Sequence, residues 1–338
     1  MVSEEKDAFF SIIISTRDRP ELFLVALNSV LQQTFAHKEI IVVIDGSNDA
    51  NMAQYARLEQ QHQQVTFLRL LHRPNGHGQS YTMNFGAHNA RGRYLCFLDD
   101  DDQWTDEYYL DHVFEAITAS DKPVDLHYSN QRAVDSNGVM QTQNVWLDAL
   151  IPRAVHRPRN IEDSYFVDTE FLLSAGGFAH LNCSIFERNF YESLGGMDES
   201  IRYENDRDIY IRALDAARVI LYSTRYSSLH NIPDINAKNN MSTVSSSMQK
   251  KLYQMRVYDK GISLCQQDAI VRFCCRGKTY EMKHAATMLA ENSRHRSAAQ
   301  YARAALLNGF NPRWLAYTVY LPVRAWFKPG DASVKSTL

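Results

Sequence analysis

"RYLCFLDDDDQW", residues Arg93 to Trp104, runs from an unbroken apolar stretch into four consecutive aspartates. The apolar half reads as a strand covered on both faces, because a strand with one wet face would alternate apolar and polar residues. The acidic half then marks the carboxyl end of that strand. Carboxylates this close raise one another's pKa, so the cluster needs water or a counter-charge. From these residues alone two readings are open, a solvated turn or a site for a hard cation that prefers oxygen ligands.

Three similar patterns precede it. "FFSIII" (Phe9 to Ile14) leads into a helix-period stretch with Pro20 in its first turn. "EIIVVI" (Glu39 to Ile44) is closed by Asp45-Gly46 and followed by an amphipathic stretch. "VTFLRLL" (Val65 to Leu71) ends in the breakers "RPNGHG" before a helix from about Ser80 to Ala90. After the aspartates, Thr105 is expected to cap the next helix, with Asp106 and Glu107 in its first turn, where the helix dipole favours acid. Buried strands alternating with helices predict an α/β, Rossmann-like, mostly parallel sheet flanked by helices. Such sheets bind ligands beyond the carboxyl ends of their strands. Three polar clusters fall at those ends: "STRDR", "DGSND" and "DDDD".

From Val124 to Gly177 the pattern turns irregular, as expected for an insertion on the crevice side that serves a second substrate. A strand, a helix, the Gly195-Gly196 turn and a second helix follow. "NNMSTVSSSMQ" reads as a serine-rich joint, and residues from about 250 to 310 are Ala-rich and helical. The expected organisation is an α/β domain over residues 1–240, with halves at about 8–123 and 124–240, and a helical C-terminal region over 241–338.

Lys and Arg (36) nearly balance Asp and Glu (39), so no whole-chain field invites nucleic acid. The five cysteines are irregularly spaced and read as reduced thiols, neither a disulfide framework nor a zinc site. The acidic start has no basic n-region or apolar h-region, and no segment has the roughly 18 apolar residues of a membrane helix, so the expected location is cytoplasmic. "NPRWLAYTVYLPVRAWFKPG" (Asn311 to Gly330), interrupted by Pro322, mixes aromatics with Arg313, Arg324 and Lys328. Its aromatics could pack on the protein's own helices, or residues 311–328 could dock peripherally on the inner face of the cytoplasmic membrane.

The first strand is followed by Ser15-Thr16-Arg17, so both the dinucleotide fingerprint and the P-loop are absent. Asp45 could accept hydrogen bonds from a base or a ribose, or could simply close an Asx turn. The acidic cluster could hold Mg²⁺ or Mn²⁺ against a diphosphate.

In order and spacing, "SIIISTRDRPELFLVALNSVLQQT", "EIIVVIDGSND", "NGHGQSYTMNFGAHNARGRYLCFLDDDDQW" and "LGGMDESIRYENDRDIYIR" resemble the blocks of the inverting family 2 glycosyltransferases, which have the GT-A fold. The resemblance covers about residues 8 to 235. It implies that Asp101 binds a divalent metal, Mn²⁺ or Mg²⁺, with Asp99 supporting it and Asp100 near the donor ribose. It implies further that Thr16 and Arg17 flank the nucleotide base, that Asp45 reads its edge, that the loop from Asn75 to Gln79 borders the nucleotide, and that Asn84 matches a recurrent asparagine. His230 falls where relatives place a histidine against metal or diphosphate. The family's Glu-Asp pair falls within "YENDRDIYIR", which puts Asp206 at the general-base position and Asn205 where Glu is usual, with Glu204 one place earlier.

The resemblance thus implies inverting, metal-dependent transfer of a sugar from a nucleoside diphosphate, UDP most commonly, to a hydroxyl of a saccharide or lipid-linked saccharide. Family habit adds assembly of bacterial surface polysaccharide. Two alternatives stay open: a non-catalytic nucleotide-sugar or saccharide-binding protein, favoured by Asn205, and a Mg²⁺-dependent nucleotidyltransferase.

Overall fold

The computed structural model describes residues 8–142, 146–234, 236 and 241–327. Contacts divide the chain into two compact units, Met1–Asn240 and Met241–Leu338. In the first unit the chain alternates β1 (Phe10–Thr16), α1 (Pro20–Leu31), β2 (Lys38–Ile44), α2 (Asp49–Gln61), β3 (Val65–Arg69), α3 (Gln79–His88) and β4 (Tyr94–Asp99). It continues with β5 (Gln103–Trp104), α4 (Tyr109–Thr118), β6 (Leu126–Val134), α5 (Ile151–Ala154), β7 (Arg159–Ile161), β8 (Ser164–Val167) and α6 (Thr169–Leu173). The unit is completed by β9 (Ser184–Glu187), α7 (Arg188–Ser193), α8 (Asn205–Ala216) and β10 (Ile220–Asn231).

One sheet carries all ten strands, in the order β3-β2-β1-β4-β9-β6-β10-β8-β7, with β5 paired to β10. The first four are mutually parallel. Beyond β4 the sheet is mixed, because β9 runs antiparallel between β4 and β6. The unbroken apolar runs follow from double coverage. Ile12 and Ile14 pack with Phe23, Leu27 and Val30 of α1, whereas Ile13 and Val43, fully buried, turn to the opposite face and meet α3 at Gly86.

The helix after the aspartates starts later than expected. Trp104 is still paired with Ser228 of β10, and the Thr105 amide donates to the Ser227 carbonyl, so the chain stays extended where a cap was anticipated. The cap comes from elsewhere in the sequence: the Gln33 side chain accepts from the Leu110 amide at 3.2 Å and donates to the Asp106 carbonyl at 2.7 Å.

The second unit consists of α9 (Met241–Val244), α10 (Ser247–Leu264), α11 (Asp268–Glu291), α12 (His295–Asn308) and α13 (Pro312–Phe327). The serine-rich stretch expected as a joint contains the division between the two units, and its described part is largely helical. Ser246 accepts from the Gln249 amide while the Gln249 side chain accepts from the Ser246 amide, a reciprocal cap that starts α10. Pro322 lies inside α13 and does not end it. Lys328, the last residue of the expected membrane-contact segment, lies outside the described residues.

Gly86 marks the tightest helix-on-sheet contact. A Cβ there would stand 2.5 Å from Cγ2 of Ile13, a stiff β-branched side chain in the core. Gly86→Ala should therefore destabilise the first unit by about 1–3 kcal/mol despite alanine's better helix propensity. The denaturant midpoint checks this, and an unchanged or raised midpoint would mean that α3 can move away from β1.

Candidate functional site

The three polar clusters meet at the carboxyl ends of β1, β2 and β4. The Asp18 amide donates to Ser47 Oγ and the Asn48 amide donates to Asp18 Oδ1, which ties the first cluster to the second. Asp45 is buried, and its two oxygens accept the backbone amides of His77 (2.8 Å) and Gly78 (3.0 Å), which fixes the loop that leads into α3. Arg17 holds the same loop by donating to the Arg73 and Pro74 carbonyls at 2.9 and 3.0 Å. Gly76, at φ +62°, fits between them because any Cβ would run into Arg17 and Asp45. The Thr16 hydroxyl is buried against the Tyr55 hydroxyl at 2.7 Å.

The aspartates are compensated by a residue that the sequence did not single out. Arg19, just before α1, donates Nη1–H to Asp101 Oδ2 at 2.7 Å and Nη2–H to Asp100 Oδ1. Asp100 is 1% exposed. The Thr16 side chain and the Arg17 amide lie close enough to its carboxyl to favour the charged form, while Oδ2 is buried without a well-formed hydrogen bond among the described residues. Burial pushes the Asp100 carboxyl up to about 7, against the pull of Arg19. Burial and then Asp102, Asp101 and Asp100 hold Asp99 well above the usual carboxylate range.

Asp102 is the anchor of the cluster. Its Oδ2 accepts from Asn182 at 2.5 Å and from His230 Nδ1 at 2.8 Å, while Oδ1 accepts the Asn231 amide at 2.7 Å. The end of β10 is thereby tied to the end of β4. Burial works against a charge on His230, but Asp102 outweighs it and pushes the pKa up to about 9. Trp146 meets His230 edge-on, with ring centroids 5.4 Å apart.

His180, in the loop before β9, joins the two carboxylate groups. Its Nε2 stands 3.8 Å from Asp99 Oδ2 and 3.9 Å from Asp206 Oδ2. Burial and the neighbouring His230 lower its pKa to about 4, so the ring is neutral near pH 7. Asp206, in the first turn of α8, is pushed up to about 7 by burial and then by Glu204, although the Arg207 amide donates to its Oδ1 at 2.8 Å. Asn205 donates to Gln79 Oε1 at 3.1 Å, and Gln79 donates to Asp99 Oδ1 at 2.5 Å, a relay of amides from α8 to β4.

Two anticipated donor residues are engaged with loops around the site. Asn84 is fully engaged with the loop after Gly196: it donates to the Met197 carbonyl and accepts from the Met197 amide and the Tyr191 hydroxyl. Asn75 is exposed, and its carbonyl accepts from Arg202 Nη1 at 3.3 Å. Arg19, Asp102, His180 and Asn182 were not assigned roles in the sequence, and Gln79 entered only as the end of the loop expected to border the nucleotide. Arg19 and Gln79 each sit at the start of a helix that follows a strand, which is a usable signal. His180 and Asn182 precede an antiparallel strand whose insertion no local pattern announces.

Ligand atoms of Asp99, Asp101 and Asp102 lie within 4.8 Å of one another, as do those of Asp102, His180 and His230. The first set suits Mg²⁺ or Mn²⁺, and the second adds nitrogen that Mn²⁺ tolerates better. His230 rests its Nδ1 on the Asp102 carboxylate, as a metal-binding histidine commonly does. The unpartnered Asp100 oxygen adds a further buried acceptor. These residues fit a divalent cation.

A parallel sheet entered from one side by an antiparallel strand, with aspartates at the end of the strand beside it, is the GT-A fold. Residues 11–192 match the model of Glycosyl transferase family 2, and the chain belongs to that family. An uncharacterized glycosyltransferase of Rickettsia bellii is 24% identical over 237 residues, covering 68% of this chain and 31% of its own length. Another, from Nostoc sp., is 26% identical over 212 residues, 57% of this chain and 63% of its own. The chain thus spans about a third of the first relative's length. Among solved structures, S. aureus TarS 1-349 in complex with UDP-GlcNAc superposes with a TM-score of 0.64 at 15% identity, over 94% of this chain and 88% of that one. A mannosyltransferase from Pyrobaculum calidifontis, in complex with GDP-Man and Mn²⁺, gives 0.56 at 15% identity, over 96% and 82%. At such identity the likeness concerns the fold.

Removing Arg19 takes away the cation that is paired with buried Asp100. Arg19→Met should cost about 3 kcal/mol in chemical denaturation, and Arg19→Met/Asp100→Asn should recover a large part of it. Equal losses in the single and double variants would show that Arg19 stabilises by packing alone.

Proposed function

We propose that the chain is an inverting, metal-dependent glycosyltransferase that moves a sugar from a nucleoside-diphosphate sugar to a hydroxyl of a saccharide or lipid-linked saccharide. The observation that carries this reading is His180, whose Nε2 lies 3.8 Å from Asp99 and 3.9 Å from Asp206, so a carboxylate of the β4 cluster and the carboxylate of α8 face one point. Thr16, Arg17, Asp45 and the 75–79 loop form the base pocket, with Asp100 toward the ribose. Asn84 acts at one remove by holding the loop after Gly196. Asp99 and Asp101, with His230, would hold Mn²⁺ or Mg²⁺, whose charge would offset that developing on the departing diphosphate.

Asp206 is the general base. A sugar hydroxyl has a pKa far above neutrality and attacks only as its proton leaves, which calls for a carboxylate opposite the leaving group. A pKa near 7 makes Asp206 a stronger base than an ordinary carboxylate. Neutral His180 stays beside it as a spacer without neutralising it. One displacement from the far face inverts the anomeric carbon, and no sugar–enzyme bond is needed. A UDP-sugar is the expected donor, supported by the UDP-GlcNAc complex of TarS, and synthesis of bacterial surface polysaccharide is the expected setting.

Thermal shifts with UDP, GDP and dTDP, each with and without Mn²⁺, should show metal-dependent stabilisation by one of them; no response to any would sink the donor reading. Asp206→Asn should lower turnover by about 10²–10⁴-fold while leaving donor binding within a few-fold. Only ionised Asp206 accepts the proton, so turnover should rise with pH through about 7 and level off above it. A profile flat from about pH 5.5 to 9 would move the base elsewhere.

A further inference from the structure

α13 presents apolar side chains on two faces. On one, Trp314, Tyr317 and Leu321 pack against the alanine-rich faces of α11 and α12, and Trp314 Nε1–H donates to the Ala302 carbonyl at 3.0 Å. The remaining surface is uncovered: Leu315 and Val319, one turn apart, are exposed, and so is Tyr320. Two more large apolar side chains shortly before α13 are also exposed, Leu307 at 90% and Phe310 at 72%. Large apolar side chains clustered in this way mark a binding surface.

The charge around them selects the occupant. Between Asn292 and Pro322 the chain has no Asp or Glu, but it carries Arg294, Arg296, Arg303 and Arg313. Arg296 and Arg303 are exposed and share a face of α12 with Leu307, and Arg313 is exposed in the first turn of α13. A second copy of the chain would bring the same positive charge to the same patch and be repelled. We propose that this surface, centred on Leu315 and Val319 of α13, docks on an anionic lipid bilayer, with its apolar residues at the level of the headgroups and its arginines on lipid phosphates. Among the described residues no helix is long and apolar enough to cross a membrane, and the contact proposed is with the headgroup region. The inference is independent of the transfer reaction, because none of these residues belongs to the site described above.

The test is co-sedimentation of the full chain with vesicles of phosphatidylcholine alone or with about one-third phosphatidylglycerol. Wild type should pellet with the anionic vesicles and be released by high salt. Leu315→Ser/Val319→Ser should weaken binding roughly tenfold. Arg303→Glu/Arg313→Glu, which leaves the packed face untouched, should weaken it by about 25-fold or more, and it decides the matter if the first variant misfolds. Equal binding to both vesicle types, no binding to either, or wild-type dimers dissolved by the Leu315 variant without any vesicle effect would overturn the proposal.

Discussion

The end of β4 is where the structure must solve an electrostatic problem. Four carboxylates follow one another, and two of them, Asp100 and Asp102, are 1% exposed. Ionised groups that deep are tolerable only with partners. Each partner is delivered by a different element: Arg19 from the start of α1, Asn182 from the loop before β9, and His230 and Asn231 from the end of β10. Gln79, at the start of α3, then reaches Asp99. Neutralising one short acidic run thus ties the parallel half of the sheet to the mixed half and gathers the site in the same act.

The compensation is incomplete, and that leaves chemistry available. The carboxyls of Asp99, Asp100 and Asp206 are all held above the ordinary range, chiefly by burial. In the folded state these groups favour the protonated form, so each weakens the fold as pH rises above its unfolded pKa. Strain of this kind concentrates where a ligand is meant to relieve it.

Much of the first unit was legible because its information is local. Doubly covered strands announce themselves by unbroken runs such as Ile12-Ile13-Ile14, and the rule that ligands sit at strand ends brought "STRDR", "DGSND" and "DDDD" to one crevice from the residues alone. What was not legible depends on distant pairing. The late start of α4 follows from Trp104 pairing with Ser228, and its cap comes from Gln33. His180 acquires its position only because β9 inserts antiparallel beside β4. The serine-rich run marks where the two units divide, but serine both loosens linkers and caps helices, and the reciprocal bond between Ser246 and Gln249 is what starts a helix there.

Asn205, the departure that made a non-catalytic reading attractive, has a structural logic of its own. Gln79 turns its amide N–H toward Asp99, which leaves Gln79 Oε1 facing α8 and in need of a donor. Asn205 supplies one. An ionised Glu could not, because it has only acceptors, and it would add another negative charge near Asp99 and Asp206, whose carboxyls are already pushed up. Asn205 and Gln79 therefore read as a matched pair that conveys the position of α8 to the end of β4. The substitution removes a charge that this arrangement has no means to balance, and it leaves Asp206 in place.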